Sequence, residues 1–246
     1  MKVLACIPAR YGSTRFAGKV LAKDTGKFLI QHTYEQACLA KLPDKVIIAA
    51  DDQRIAAAAK SFGAECILTS PEHKSGTDRI AEVVADIDVD IVVNLQADEP
   101  EIDPANIDYL AKLLLDNPQC QMATLVAEFE NAEQVKNPNI VKVVVDKDNR
   151  AIYFSRAPIP YNRKKSGIGK MQQYLRHLGI YAYRKQFLLK ITSLPQTPLE
   201  KIEKLEQLRA IESGFEILVG KVKQTSDGID TPQQYAEFVK REKQRN

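Results

Sequence analysis

The sequence predicts an α/β fold: a mostly parallel sheet between helices, with a smaller lobe appended. Three observations predict it. Short apolar runs alternate with helical patterns through the first half of the chain. Those runs are apolar almost throughout rather than every second residue, as strands buried on both faces are. The chain has 246 residues, 44% of them hydrophobic, enough to bury one sizeable α/β core.

The elements follow in order. Val3 to Ile7, Val46 to Ala50, Cys66 to Leu68 and Ile91 to Leu95 are expected strands. Leu29–Ala40, Gln53–Phe62 and Thr77–Ile87 are the helices between them, with Gly63 as a terminator. Asp103-Pro104 reads as an N-cap followed by proline at the first helical position, and that helix runs to about Asn117 before Pro118. Met122–Phe129 and Val141–Val145 are the next strands, and Asp148-Asn149 marks a turn into Ala151–Ser155. Asn162–Gln173 is polar and reads as a loop, and Tyr174–Tyr183 as a strand. Leu199, Ile202, Leu205, Leu208 and Ile211 predict one amphipathic helix over Leu199–Ile211. Phe215–Gly220 is a strand, and Thr231-Pro232 opens a last helix.

A formal charge of +3 without a long Lys/Arg run excludes a general nucleic-acid surface; Arg163, Lys164 and Lys165 form only a short cluster. Cys6, Cys38, Cys66 and Cys120 are widely spaced with no C-x-x-C pair, which predicts buried reduced thiols rather than zinc or disulfides. The N-terminal apolar run is too short for a signal peptide and no stretch is long enough to span a bilayer, so a cytosolic protein is expected.

In open parallel sheets, ligands bind outside the carboxyl ends of the strands. The loop after the first strand, Pro8-Ala-Arg10-Tyr-Gly12-Ser13-Thr-Arg15-Phe-Ala-Gly18-Lys19, gathers three cations, two glycines and two hydroxyls. Cations and exposed backbone N–H groups are what a polyphosphate needs. The loop matches neither G-x-x-x-x-G-K-[ST] nor G-x-G-x-x-G, which counts against ATPase and dinucleotide readings. Asp98, after the fourth strand, is placed to hold a divalent cation against phosphate oxygens; a turn aspartate is the plain alternative. Asp230 has the same alternative, since Asp-Thr-Pro is a good helix start. Ser75 or Thr77 serves as the N-cap of the helix that follows.

Several blocks together carry a resemblance. Arg10-x-x-Ser13-x-Arg15-x-x-Gly18-Lys19, His73-x-Ser75-Gly76-Thr77-Asp78-Arg79, Asn94-x-Gln96-Ala97-Asp98-Glu99-Pro100 and Tyr153-Phe154-Ser155-Arg156 stand in order. Arg176-His177-Leu178-Gly179-Ile180-Tyr181, Leu205-Glu206-Gln207-Leu208-Arg209 and Gly228-Ile229-Asp230-Thr231-Pro232 follow. The chain resembles the CMP-sugar synthetases, in the branch that activates the acidic eight-carbon sugar Kdo (3-deoxy-manno-octulosonate) for lipopolysaccharide. It departs from that pattern at Phe16-Ala17, where the family usually has Leu-Pro, at Val20, where it usually has proline, and at Ala97, where it usually has glycine.

The resemblance implies a Rossmann-like nucleotidyltransferase fold over residues 1–246. Residues 1–120 would form the nucleotide-binding half, and 121–246 the sugar-binding and dimerisation half of a homodimer. It implies transfer of CMP from CTP to a Kdo-type sugar with release of pyrophosphate, and Mg²⁺ held by Asp98 and Asp230. Lys19 and Arg15 would act with those two in catalysis. Pro8, Ala9, Arg10, Ser13, Arg15, Lys19, Ser75, Gly76 and Arg79 would bind the nucleotide. Gln96, Arg156, His177, Tyr181, Glu206 and Gln207 would bind the sugar. For these the residues alone read more plainly: a lone histidine among apolar neighbours is usually core, and Glu206 and Gln207 fall on the polar side of a helix. The sugar stays open between Kdo and 8-amino-Kdo. A glycosyltransferase and an inactive nucleotide-binding paralogue are the more distant readings.

Overall fold

The computed structural model describes residues 1–12, 16–223 and 228–245. The chain divides into two compact units, Met1–Ala111 with Ser226–Asn246, and Lys112–Thr225.

The first unit is built on four parallel strands. β1 (Val3–Ala9) pairs with β2 (Lys45–Ala50) and with β4 (Ile91–Asn94), and β2 pairs with β3 (Cys66–Leu68), giving the order β3-β2-β1-β4. Ile7, Ile47, Ile48, Val92 and Val93 are fully buried, each contributing about 1.5–3 kcal/mol of hydrophobic burial. α1 (Leu29–Leu39), α2 (Gln53–Ser61) and α3 (Gly76–Val84) connect the strands, and α4 (Pro104–Asp116) follows β4. The expected caps are in place. Ala105 N donates to Asp103 Oδ1 at 2.9 Å ahead of α4. Gly63, at φ +77°, ends α2 in a left-handed turn, with Ala64 N donating to Ala59 O and Gly63 N to Lys60 O. That pair of bonds is the Schellman motif that favours glycine there.

In the second unit β5 (Met122–Glu128) runs antiparallel to β8 (Leu175–Arg184) and parallel to β9 (Ile217–Lys221). β6 (Lys142–Val145) is antiparallel to β7 (Ala151–Ser155) and to β8. A short α5 (Ala132–Lys136) follows β5, and α6 (Lys185–Ser193) follows β8 and buries Phe187, Leu188 and Ile191. Neither helix was expected. Asn162–Gln173 is a loop, with brief 3₁₀ turns at Arg163–Lys165 and Met171–Gln173.

The single helix expected over Leu199–Ile211 is not formed. α7 (Pro198–Glu203) stops at Lys204, which is left-handed at φ 53°, and α8 (Gln207–Glu212) starts afresh. The five apolar residues are spaced by three, and each step of three turns an α-helix by about 300°. Such a row winds around a helix instead of staying on one face. The break resets the phase: Leu205 and Leu208 are buried, while Ile202 is 76% exposed. The same break overturns the solvated reading of Gln207, which is buried.

The cysteines are free thiols as expected, but only Cys6 and Cys120 are buried; Cys38 is exposed and Cys66 intermediate. Cys38 lies on α1 outside its buried positions Leu29, Ile30, Thr33 and Ala37. Among the described residues no helix is long and apolar enough to cross a membrane.

The C-terminal α9 (Pro232–Arg245) belongs to the first unit. Its Tyr235 and Phe238 pack with Leu29 and Ile229. Arg241 and Arg245 reach Glu101 at 2.5 and 3.0 Å, and Asp24 N donates to the Tyr235 hydroxyl at 2.8 Å. These contacts fix where α9 begins.

Candidate active site

A cleft of about 330 Å³ opens at the carboxyl ends of β1 and β4, where the switch-point rule places ligands. Pro8, Ala9, Arg10, Lys19, Ser75, Gly76, Arg79, Gln96, Asp98 and Asp230 all line it. Ser13 and Arg15 lie outside the described residues.

Lys19 is the hub. Its ammonium pairs with the Asp98 carboxylate, meets Asp230 Oδ1 at 3.1 Å, and donates to Ile229 O at 2.8 Å. Asp98 sits in the turn just past β4. Asp230 is brought beside it from the far end of the chain. Ile229 plugs into the Leu29, Tyr235 and Phe238 cluster, and Ile229 N donates to Asp98 O at 2.8 Å. Helix initiation falls to Thr231, whose Oγ1 accepts from Gln234 N, while Gln234 Oε1 accepts from the N–H groups of Asp230 and Thr231.

Two carboxylates and a carbonyl oxygen drawn round one ammonium are a donor set of hard oxygens. The chemistry fits a divalent cation whose remaining positions are filled by phosphate oxygens and water, the usual way Mg²⁺ is held.

The floor is set by α3. Ser75 caps it, its Oγ accepting from Asp78 N at 3.1 Å. A Cβ at Gly76 would stand 3.0 Å from Pro8 Cγ, so glycine is what lets the helix start against β1. Arg79 is 3% exposed and donates to Thr69 Oγ1 at 2.5 Å and Ser70 O at 3.2 Å, with Asp51 Oδ2 at 3.5 Å. It ties the ends of β2 and β3 to α3. His73 pairs with Glu82, and that hydrogen bond holds the Glu82 carboxyl below its ordinary range.

The residue-level reading missed the support beneath the first loop. Tyr11 N donates to Asp51 Oδ1 at 2.9 Å, and the Arg54 guanidinium lies 3.4 Å from the centre of the Tyr11 ring. Asp51 follows β2, at the carboxyl end of a parallel strand, so the rule that ligands bind outside such ends was the available signal. The Ile229 carbonyl had none, because main-chain groups leave no trace in a motif.

The second unit gathers another group. β8 carries two extra residues opposite β5, since Thr124 pairs with Tyr181 while Leu125 pairs with Leu178. In this bulge Thr124 Oγ1 donates to Ile180 O at 2.8 Å and meets His177 Nε2 at 3.1 Å. With the hydroxyl proton directed at the carbonyl, His177 Nε2 must donate, which leaves Nδ1 as an acceptor. Burial pushes the His177 imidazole down to about 3, so it is neutral at physiological pH. Its ring stacks 4.9 Å from Phe154 and 5.4 Å from Tyr181. Burial and then the Glu206 charge push the Tyr181 phenol up, so it remains a neutral donor. Gln207 is 5% exposed and its Nε2 has no hydrogen-bond partner among the described residues, an arrangement that costs free energy unless something else satisfies it. Arg156 Nε donates to Glu203 O at 2.7 Å, Nη1 to Pro138 O at 2.9 Å and Nη2 to Lys204 O at 3.4 Å. The α7–α8 junction thus carries Glu206 and Gln207 and receives Arg156.

A parallel α/β unit with cations, a helix N-terminus and paired carboxylates at the strand ends is the architecture of a nucleotidyltransferase. The comparisons specify it further. The cytidylyltransferase family model matches residues 4–218. A 3-deoxy-manno-octulosonate cytidylyltransferase of Solibacter usitatus is 48% identical over 94% of this chain and 91% of its own. That of Trichlorobacter lovleyi is 46% identical over 99% of this chain and 100% of its own. A solved structure of CMP:2-keto-3-deoxy-manno-octonic acid synthetase complexed with CTP is similar at a TM-score of 0.94 and 40% identity, over 100% of both chains. The 4-diphosphocytidyl-2C-methyl-D-erythritol synthase of Anaerococcus prevotii shares the fold at a TM-score of 0.62 and 12% identity. The chain belongs to the cytidylyltransferase family, among the 3-deoxy-manno-octulosonate cytidylyltransferases.

Proposed function

We propose that the protein transfers CMP from CTP to Kdo, forming CMP-Kdo and pyrophosphate. The observation that carries this is the meeting of Lys19, Asp98 and Asp230 in a cleft also lined by Arg10, Ser75 and Gly76. The anomeric hydroxyl of the sugar attacks the α-phosphorus, and the bond to pyrophosphate breaks.

Catalysis rests on positioning and charge. Arg10, Arg15 and Lys19 offset the charge of the leaving pyrophosphate. Main-chain groups at Pro8 and Ala9 line the cleft, and Ser13 is a proposed nucleotide contact by resemblance. Ser75, Gly76 and Arg79 frame the place of the nucleobase. Asp98 and Asp230 are the proposed ligands of Mg²⁺, which when bound would neutralise α-phosphate charge and polarise the attacking hydroxyl. Gln96, His177, Tyr181, Glu206 and Gln207 hydrogen-bond sugar hydroxyls, and Arg156 takes the carboxylate. The nucleotide falls to residues 1–120, joined by Asp230, and the sugar mainly to 121–246. A homodimer is the proposed assembly, with the exposed Ile152 and Tyr161 as candidate contacts; a monomer by light scattering at working concentration would refute it.

The test is pyrophosphate release with CTP, Mg²⁺ and Kdo, beside 8-amino-Kdo, a sialic acid and an Asp98→Ala control. Release with Kdo that vanishes in the control is expected. Release only with another acid sugar would keep the chemistry and move the substrate. CTP binding without release would refute the enzyme.

A further inference from the structure

Arg156 is held from more sides than a carboxylate-binding arginine needs. Its N–H donates to Glu203 Oε2 at 3.0 Å, while its carbonyl accepts from the ammonium of fully buried Lys142. Lys142 also donates to Asn137 O and Ile140 O. The second Glu203 oxygen accepts from Ser155 Oγ at 2.6 Å. The Arg156 guanidinium covers carbonyls of Glu203 and Lys204, groups that the end of α7 leaves without helical partners. With the bond from Nη1 to Pro138 O, three of the five guanidinium N–H groups are taken. Two remain without a partner among the described residues.

We propose that Glu203 is a positioning residue for acid-sugar recognition, rooting Arg156 on the α7 terminus so that its two remaining N–H groups meet the sugar carboxylate. The proposal rests on the assignment of Arg156 to that carboxylate. Glu203 touches no substrate. It acts by fixing the Arg156 main chain from the N–H side, opposite the carbonyl that Lys142 holds. Its own main-chain oxygen receives Arg156 Nε, so one residue sets both the backbone and the head of the arginine.

The test is steady-state pyrophosphate release with Glu203→Ala, Glu203→Gln, Arg156→Met and the Glu203→Ala/Arg156→Met double variant. Glu203→Ala should raise KM for Kdo about 10- to 100-fold, the range of a weakened hydrogen bond to a charged group. It should leave KM for CTP within about twofold, because the nucleotide residues lie in the other unit. Glu203→Gln, which still accepts from Arg156 N, should recover most of the affinity. In the Arg156→Met background Glu203→Ala should add nothing, as expected of residues acting as one unit. If Glu203→Ala does not fold, Ser155→Ala, which loosens the same carboxylate, should raise KM for Kdo alone. Equal effects of Glu203→Ala with and without Arg156, or parallel changes in both KM values, would overturn the proposal. An Arg156→Met variant with unchanged KM for Kdo would overturn the carboxylate assignment itself. A rise with Arg156→Met but none with Glu203→Ala would leave that assignment standing and remove only Glu203.

Discussion

His177 links stability to pH in a way the structure fixes. Its imidazole is 9% exposed, ringed by Phe154 and Tyr181, and held down to about 3 from an ordinary 6.5 by burial. In the unfolded chain the ring takes up a proton as pH falls through 6.5, whereas the folded protein refuses it until about 3. The unfolded state binds more protons throughout that window, so stability falls as pH falls across it. From about pH 7.5 to about pH 5 the loss from this one group is about 2 kcal/mol. His177→Gln keeps a donor for Thr124 and has no proton to take up. Urea unfolding of both proteins at the two pH values measures the difference directly. The variant should lose about 2 kcal/mol less on acidification than the wild type. Equal losses would show that His177 takes up its proton in the fold as readily as in the unfolded chain, and would refute both the burial argument and the neutral tautomer.

Further outcomes can be checked. Asp98→Asn should lower turnover about 100-fold or more in the pyrophosphate assay, with Asp230→Asn similar, since both carboxylates face Lys19. Gly76→Val, whose Cβ would stand 3.0 Å from Pro8 Cγ, should raise KM for CTP about tenfold by displacing the start of α3, and leave KM for Kdo unchanged. Arg209→Met should cost about 3–5 kcal/mol by denaturant titration, because it strands the buried Glu200 carboxylate that Arg209 now meets at 2.6 and 2.9 Å. Chelation with EDTA should abolish turnover and weaken CTP binding by calorimetry, and added Mg²⁺ should restore both.

The first unit was largely legible because its signals are local. Apolar runs buried on both faces, caps at Ser75 and Asp103 and the glycine at Gly63 each act within a few residues. The residues proposed for the nucleotide stand out for the same reason: most of them cluster just after strands. The region from Leu199 to Ile211 was misread because apolar residues three apart satisfy a face-counting rule without the 3.6-residue period that a helix imposes. Nothing in the side chain of Lys204 marks a left-handed turn. Arg156 is singled out by resemblance alone, and its surroundings left no signal, because its partners are main-chain carbonyls at residues 138, 203 and 204. Asp230 could be paired with Asp98 only by resemblance, since what brings it there is the burial of Ile229 and α9.

The unit that holds Lys19, Asp98 and Asp230 is assembled from two stretches, Met1–Ala111 and Ser226–Asn246, with the other unit inserted between them in sequence. A ribosome delivers Lys19 and Asp98 well before Asp230. Any protease cut between the units that frees the C-terminal stretch would separate the two proposed metal ligands onto different fragments. Loss of turnover under limited digestion therefore reports on the tethering of α9, long before the parallel sheet itself gives way.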